Sequence, residues 1–299
     1  MRVEITDVFL RDGLQDEPVV VPTARKIAIG RALLAAGITT LEAGSFVNPA
    51  RVPQMADSSE VLAGLSGHDG GARLTVLALN ARGISRAITA GASRIQVVAS
   101  ASPEHSAANA GKPTFEALDD LADEIARHPG IDFIAGVSTA FICPFAGDVD
   151  PDHLLRVVRA FAGMGIRDIG LADTLGTTPT AQLMSSLETI RSAEPGLEYS
   201  LHLHNAHGQA LATVDAAVAS GITRFDAAAG GFGGCPFAPG AAGNLATEEL
   251  VAHLHAAGHD TGIDEDRLAD ATALARSSVA EAPHIELAHS MRQTQRNHA

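Results

Sequence analysis

The chain alternates between short apolar or β-branched runs and longer alanine-rich stretches in which apolar residues recur every three or four positions. The first pattern predicts buried strands and the second predicts amphipathic helices. The eight predicted strands are Val3–Phe9, Thr39–Ser45, Arg73–Leu79, Arg94–Ser100, Ile131–Ser138, Ile166–Ala172, Leu197–His204 and Ile222–Gly230. The predicted helices between them include Thr23–Ala36, Pro53–Leu65, Phe115–Arg127, Pro151–Met164, Thr180–Ala193 and Gln209–Ser220.

Eight β–α units in a chain of this length favour a (β/α)8 TIM barrel, in the α/β class. A doubly wound sheet is the alternative, but the Gly-x-Gly-x-x-Gly fingerprint of nucleotide-binding sheets is missing after the first predicted strand. We therefore expect a catalytic barrel domain over residues 1–260. Residues 261–299 are expected to form a short helical extension that packs on the barrel.

Composition narrows the class of protein. Hydrophobic residues make up 46% of the chain, which is enough for a large core, and the formal net charge of −14 argues against nucleic-acid binding. Neither a signal peptide nor an apolar run long enough for a membrane span is visible, so we expect a cytoplasmic protein. Cys143 and Cys235 are the only cysteines and imply no disulfide framework.

The stretch "LHLHNAHGQ" places His202 and His204 at the end of the seventh predicted strand. Alternate residues of a strand point to the same side, so both imidazoles share one face while Leu201 and Leu203 share the other. Two neighbouring imidazoles are a ready pair of metal ligands. A surface strand can show the same pattern by chance, and the two histidines alone leave both interpretations open.

Other polar residues also follow the predicted strands, at the edge where TIM-barrel chemistry gathers. They are Arg11 and Asp12 after the first strand, Glu42 in the second, Asp173 after the sixth, and Cys235 and Asn244 after the eighth. Barrel closure would bring Asp12 and Asn244 to the two histidines as further ligands. Imidazole, carboxylate and amide donors together suit a divalent ion such as Mg²⁺ or Mn²⁺. Arg11, positioned by Glu42, would lie beside that ion.

Four motifs resemble those of the 3-hydroxy-3-methylglutaryl-CoA lyase family, and the resemblance runs from Val3 to about Leu254. They are "LRDGLQ", "EAGSFVNPARVPQMADSSEVL", "HLHNAHGQALA" and "GGFGGCPFAPGAAGNLATEELV". The Gly-Gly-Cys-Pro-Phe loop of the last motif is the most specific. The resemblance implies a TIM-barrel enzyme that uses Mg²⁺ or Mn²⁺ to cleave hydroxymethylglutaryl-CoA into acetyl-CoA and acetoacetate, in leucine degradation and ketone-body formation.

The resemblance also implies a role for each matching residue. Asp12, His202, His204 and Asn244 would be the metal ligands, and Arg11, held by Glu42, would stabilise the enolate. Asp173 would take part in proton transfer, Cys235 would be an acid/base group on a mobile loop, and Glu248 would support the ligand region. The implied partners are an acyl-CoA or 3-hydroxy acid substrate and a second copy of the chain in a homodimer, with no nucleic acid and no membrane.

Some positions differ from the pattern usual in that family. The sequence has Asn205-Ala206-His207 in place of Asp-Thr-Tyr, and the stretch "SPEHSAANAGKP" lacks a lysine pair. These differences leave room for a longer 3-hydroxyacyl-CoA or a substrate without CoA. Two further interpretations stay open: a condensing enzyme that joins acetyl-CoA to a keto acid, and a barrel that only binds or assembles.

Overall fold

The structure is a computed structural model that describes residues 1–67, 70–234 and 243–285. Eight parallel strands close into a barrel, which confirms the predicted TIM-barrel fold. In chain order they are β1 (Glu4–Asp7), β2 (Thr40–Ser45), β3 (Arg73–Ala78), β4 (Arg94–Ser100), β5 (Asp132–Ser138), β8 (Asp168–Asp173), β9 (Glu198–Leu203) and β10 (Arg224–Ala227). A small antiparallel hairpin, β6 (Ile142–Cys143) and β7 (Gly147–Asp148), follows β5.

Helices surround the barrel, and all six that the apolar periodicity predicts are present. They are α1 (Thr23–Ala35), α2 (Ser58–Leu65), α5 (Thr114–Ala126), α6 (Pro151–Gly163), α7 (Thr180–Ala193) and α8 (Ala210–Ala219), and a 3₁₀ turn (Pro53–Met55) precedes α2. The others are α3 (Ala81–Thr89), α4 (Pro103–Ala110), α9 (Thr247–Ala256) and α10 (Glu265–Glu281). Helix α10, in the predicted extension, packs against α1 and α9. Among the described residues, no helix is both long and apolar enough to cross a membrane.

The interior of the barrel is open rather than filled. Along β4, Ile95 and Val97 point outward to the helices and are fully buried, whereas the inward-facing Gln96 and Val98 are partly exposed. The inward positions of β8 and β9 show the same partial exposure. Barrel interiors are commonly closed by layers of large side chains. Here the inward side chains instead surround a cavity that descends from the carboxyl ends of the strands.

The seam between β1 and β10 is joined by one buried carboxylate. Asp7, at the end of β1, accepts hydrogen bonds from the backbone N–H groups of Phe9 (3.0 Å) and Ala229 (3.0 Å) and from the Thr247 hydroxyl (2.7 Å). Its side chain is fully buried, and this burial raises its pKa to about 6, although the three donors act to lower it. Asp7 therefore ties the end of β1 to the segment after β10.

The chain leaves β1 through a single π-helical turn (Phe9–Gly13). The predicted first strand therefore ends earlier than expected, at Asp7 rather than Phe9. The Asp7 carboxylate accounts for the difference, because it bonds to the N–H of Phe9 at the point where the turn begins. This turn carries Arg11 and Asp12.

The raised pKa of Asp7 predicts a measurable pH dependence of stability. Because its folded pKa of about 6 lies above the ordinary value of 3.8, the folded chain takes up a proton first, and stability falls as pH rises through this window. Lowering the pH from 7 to 5 should therefore stabilise the natural chain by about 1 kcal/mol relative to Asp7→Asn. Urea denaturation of both chains at the two pH values measures this, and an unchanged difference would contradict it.

Candidate metal centre and active site

Three predicted ligands meet at the mouth of the barrel. The Asp12 Oδ2 atom lies 3.7 Å from the Nε2 of His202 and 3.8 Å from the Nε2 of His204, and the two Nε2 atoms are 3.2 Å apart. One ligand atom from each residue therefore falls within 4.8 Å of the others. Oxygen and imidazole nitrogen atoms at this spacing can share one divalent ion.

Asn244 reaches this cluster because its segment pairs with the end of β9. The N–H of Leu245 donates to the carbonyl of Leu203 (3.1 Å), and the N–H of Asn205 donates to the carbonyl of Gly243 (3.1 Å). This pairing places Asn244 opposite His204. The polar segment after β10 is thus brought to the histidines by backbone hydrogen bonds.

The nitrogen of the Asn244 side-chain amide donates two hydrogen bonds, whereas its oxygen accepts none from the described residues. Its amide nitrogen donates to the Asp12 Oδ2 atom (2.7 Å) and to the carbonyl of Phe232 (2.9 Å). Its Oδ1 is buried and has no hydrogen-bond partner among the residues of the three described segments. A buried oxygen without a partner is costly. A divalent ion bound at the Asp12, His202 and His204 cluster would satisfy it, so the residues present fit such an ion.

Gly233 allows the loop after β10 to lie directly on this cluster. Its φ of +99° is in the left-handed region, and a Cβ there would stand 2.5 Å from the Asn244 amide nitrogen and 2.9 Å from the Asp12 carbonyl oxygen. No residue with a side chain fits this approach without moving one of these groups. The glycine therefore lets the segment after β10 pack against the Asn244 amide and the backbone of Asp12.

Arg11 links the cluster to Glu42. Its Nε donates to the Glu42 Oε2 atom (2.7 Å) and its Nη1 donates to the Asp12 Oδ1 atom. Glu42 is almost fully buried, and this burial raises its pKa to about 7 against the opposing effect of the Arg11 guanidinium. Burial also acts to raise the pKa of Asp12, but Arg11 and the two imidazoles together hold it well below its usual range. Asp12 is therefore an ionised oxygen donor at neutral pH.

Asp226, on the inward face of β10, is part of the site although the sequence analysis did not single it out. Its Oδ2 lies 3.3 Å from the Nδ1 of His202, which leaves the Nε2 of that ring turned to the cluster. Carboxylates commonly orient metal-binding imidazoles in this way. Asp226 lies outside the four motifs that resemble the lyase family, which is why it was not predicted. The available signal was an acidic residue within a predicted buried strand.

Asp173 occupies a different position from the ligands. Its neighbours Ala172 and Thr174 line the cavity, but Asp173 does not. Both of its carboxylate oxygens accept from Thr178, one from the hydroxyl (2.7 Å) and one from the backbone N–H (3.2 Å). Burial raises its pKa although these bonds act to lower it. In the structure Asp173 therefore holds the turn that follows β8.

The remaining two predicted residues belong to the region after β10. Glu248, near the start of α9, accepts from the N–H of Gly230 (2.9 Å) and from Arg276 (3.0 Å), and thereby fixes the turn that follows β10. Cys235, the predicted acid/base group, lies outside the described residues.

The cavity joins the cluster to the interior of the barrel. Near the mouth it is lined by Gln15, Asp16, His105 and Asn109, together with Arg11 and the cluster itself. Ser138 and Ala172 line it at the level of His202, and deeper in the barrel it is lined by Leu77, Gln96, Val98, Gly136, Val137 and Gly170. The lower walls are mostly apolar or made of small residues, with the Gln96 amide among them, whereas the upper part is charged and polar. This arrangement can hold the reacting oxygens of a small acid at the top and a less polar group below.

Comparisons with known proteins agree with this geometry. The model of the HMGL-like family matches residues 2–275. The chain is 39% identical to the cytoplasmic 3-hydroxy-3-methylglutaryl-CoA lyase of Mus musculus, over 88% of this chain and 77% of that protein. It is 40% identical to the (R)-citramalyl-CoA lyase of Chloroflexus aurantiacus, over 88% of this chain and 86% of that protein. An HMG-CoA lyase structure from Acinetobacter baumannii, in complex with coenzyme A and 3-methylmalate, superposes with a TM-score of 0.88 at 36% identity, covering 96% of this chain and 94% of that one.

The ligand geometry predicts how variants change Mn²⁺ binding, measured by isothermal titration calorimetry. The natural chain should bind one ion, and His204→Ala should weaken binding more than tenfold because it removes a ligand. Asp226→Asn should weaken it roughly 10- to 100-fold, the usual effect of losing a carboxylate behind a metal-binding imidazole. His253→Ala on α9 is the matched control, because the His253 ring hydrogen-bonds to Asp215 and to no other residue of the described segments. Unchanged binding in His204→Ala would contradict the assignment.

Proposed function

The chain belongs to the HMGL-like family, and we propose that it is a divalent-metal-dependent lyase that cleaves a 3-hydroxyacyl-CoA to acetyl-CoA and a keto acid. The family predicted from the four sequence motifs is confirmed. The observation that carries the proposal is the convergence of Asp12, His202 and His204 with a charged Arg11 on one open cavity. Metal ligands and a cation beside a pocket are what the cleavage reaction requires.

The relatives support a substrate class rather than a single compound. One is named for hydroxymethylglutaryl-CoA and another for citramalyl-CoA, and the solved structure holds coenzyme A with 3-methylmalate. We propose hydroxymethylglutaryl-CoA or a related 3-hydroxyacyl-CoA as the substrate here. If the product is acetoacetate, the reaction would serve leucine degradation or ketone-body formation.

Asp12, His202, His204 and Asn244 would hold the metal ion, and their oxygen and imidazole donors favour Mg²⁺ or Mn²⁺. When bound, the ion would supply Lewis-acid polarisation of the substrate hydroxyl and carboxylate oxygens. Asp226 would keep the His202 ring in place, and the Asn244 amide would keep the Asp12 carboxylate in place.

Arg11 would stabilise the negative charge that develops on the thioester oxygen as the carbon–carbon bond breaks. Its Nε and Nη1 are used by Glu42 and Asp12, while Nη2 makes no hydrogen bond within the described segments. A guanidinium fixed on two sides presents its third nitrogen without losing further conformational freedom. Glu42 would hold Arg11 in this orientation.

Cys235 and Asp173 are the residues that the family resemblance associates with proton transfer. We keep Cys235 as the proposed acid/base group, to deliver a proton to the leaving enolate. For Asp173 the two bonds from Thr178 favour a supporting role in the turn behind His204 over direct proton transfer. A cytoplasmic location and a homodimer complete the proposal.

An activity assay tests the proposed reaction directly. The purified chain with Mn²⁺ or Mg²⁺ should release acetyl-CoA from hydroxymethylglutaryl-CoA or from a related 3-hydroxyacyl-CoA, and EDTA should abolish this release. Acetyl-CoA and keto-acid formation are followed by liquid chromatography and mass spectrometry. Absence of cleavage across a panel of such thioesters with either metal would refute the proposal. Release of free CoA from acetyl-CoA and a keto acid would indicate a condensing enzyme instead.

The geometry of Arg11 predicts a specific loss of rate. Arg11→Met keeps the length of the side chain but removes its charge and donors, so kcat should fall about 10²- to 10³-fold, as for the loss of a donor to a developing oxyanion. Steady-state kinetics at saturating Mn²⁺ measures this. Arg25→Met is the matched control because Arg25 is half-exposed and pairs only with Glu281 in the described structure. A similar kcat in Arg11→Met and Arg25→Met would contradict the assigned role.

A further inference from the structure

The cavity continues below the metal cluster into the barrel. Ala172 is paired with His202 in the sheet, and Gly170 is paired with Ser200 two residues further down. Gly170, and Gln96 still lower in the sheet, line the same cavity as His202 and His204. Two residues of a strand span roughly 7 Å, so the cavity reaches about that far below the histidines.

The cavity reaches this depth because small residues occupy inward positions on two neighbouring strands. Gly136 on β5 and Gly170 on β8 are direct partners in the sheet, and both line the cavity. Ala172 lies above Gly170 on the same inward face of β8. Large inward side chains would close a barrel at this level, whereas these two adjacent strands carry two glycines and one alanine there. Leu77 and Val98 form the apolar walls beside them.

The bottom of this space is polar. The Nε2 atom of Gln96 lies 2.6 Å from the position that a Cβ on Gly136 would take, so the amide extends over the glycine into the cavity. Neither the oxygen nor the nitrogen of that amide is hydrogen-bonded to any residue in the described part of the chain. The Ser200 hydroxyl lies 3.2 Å from the corresponding position on Gly170. Of these two residues only Gln96 lines the cavity, and an amide that faces a cavity can bind a polar group of a ligand.

Charged residues close the barrel beneath this level. Asp168 accepts from Arg94 (2.5 Å) and from Arg224 (2.5 Å), and Arg224 also donates to Glu198 (3.0 Å). Arg94, Asp168, Glu198 and Arg224 do not line the cavity, which ends at Gln96. The space above is therefore bounded by the metal cluster at the top, by apolar walls, and by the Gln96 amide at the floor.

We propose that this space is a specificity pocket for a branch on the hydroxyl-bearing carbon of the substrate, longer than a methyl group and ending in an oxygen acceptor. The proposal rests on the proposed function and adds the substrate class to it. With the hydroxyl held at the cluster, a methyl group fills only the level of Ala172. A branch several atoms long passes over the inner face of Gly136 and Gly170 and places its terminal oxygen on the Gln96 Nε2 atom.

Three thioesters that differ only in this branch test the proposal: 3-hydroxyglutaryl-CoA substituted at C3 with a methyl, a butyl or a 3-hydroxypropyl group. The natural chain with Mn²⁺ should cleave the hydroxypropyl compound with a kcat/KM at least about tenfold above that of the methyl compound. The butyl compound has the same length but no terminal acceptor and should fall between the two. The difference between the hydroxypropyl and butyl compounds should be roughly 2- to 10-fold, which is the usual contribution of one neutral hydrogen bond to binding.

Two variants separate the shape of the pocket from its polarity. Gly170→Ala adds a methyl group to the cavity wall below Ala172, so kcat/KM for both long branches should fall about tenfold or more, mainly through KM, while the methyl compound changes less than twofold. Gly163→Ala, in α6 with open space around its Cβ position, is the matched control. Gln96→Met keeps the length but removes the amide, and should bring the hydroxypropyl compound to the butyl level without changing kcat/KM for the methyl compound.

The outcomes distinguish this inference from the proposed function. If none of the three thioesters is cleaved with metal, the proposed function fails. If the methyl compound is cleaved at least as well as both long compounds, or if Gly170→Ala affects all three equally, the enzyme is a lyase but the pocket does not select the branch. Equal loss for the butyl and hydroxypropyl compounds in Gln96→Met would overturn the assignment of Gln96 alone.

Discussion

The pairing of β1 with β10 is the constraint on which the site depends. It brings the turn after β1, with Arg11 and Asp12, against the strands that carry Asp226 and the two histidines. The buried Asp7 carboxylate reinforces this seam by accepting hydrogen bonds from both sides of it. A metal ligand set drawn from the two ends of the barrel sequence exists only because the sheet closes. Fold stability and ligand geometry are therefore properties of the same junction.

Charge is arranged around this junction so that each group determines the state of the next. Arg11 keeps Asp12 ionised and is itself held by the buried Glu42, while Asp226 orients His202. Two buried oxygens of this network, Asn244 Oδ1 and Glu42 Oε1, have no hydrogen-bond partner among the described residues. An ionised carboxylate, two imidazoles and an unsatisfied oxygen together favour the binding of a cation. The cavity below it has space for part of the substrate, because Gly136 on β5 and Gly170 and Ala172 on β8 have little side-chain volume.

The strands and the ligand cluster could be predicted because both depend on local patterns. Apolar runs mark the strands, and polar residues just after them must lie at one edge once a parallel barrel forms. The π-helical turn, Asp226 and the pocket at Gln96 were not predicted. Asp226 and Gln96 matter because they face the interior of the barrel, and the π-helical turn depends on the hydrogen bonds of Asp7. The spacing of residues in the sequence reveals neither the inward orientation nor those hydrogen bonds. Asp173 shows the same limit, because its position after a strand did not reveal that Thr178 occupies both its oxygens.

The most direct test of the central claim is the location of the bound cation. Crystals grown with Mn²⁺ should show, in an anomalous difference map, one strong peak per chain at bonding distance from Asp12, His202, His204 and the Asn244 oxygen. The account would be contradicted by a peak at another group of side chains, or by a fully occupied metal site in which the ion does not contact Asp12.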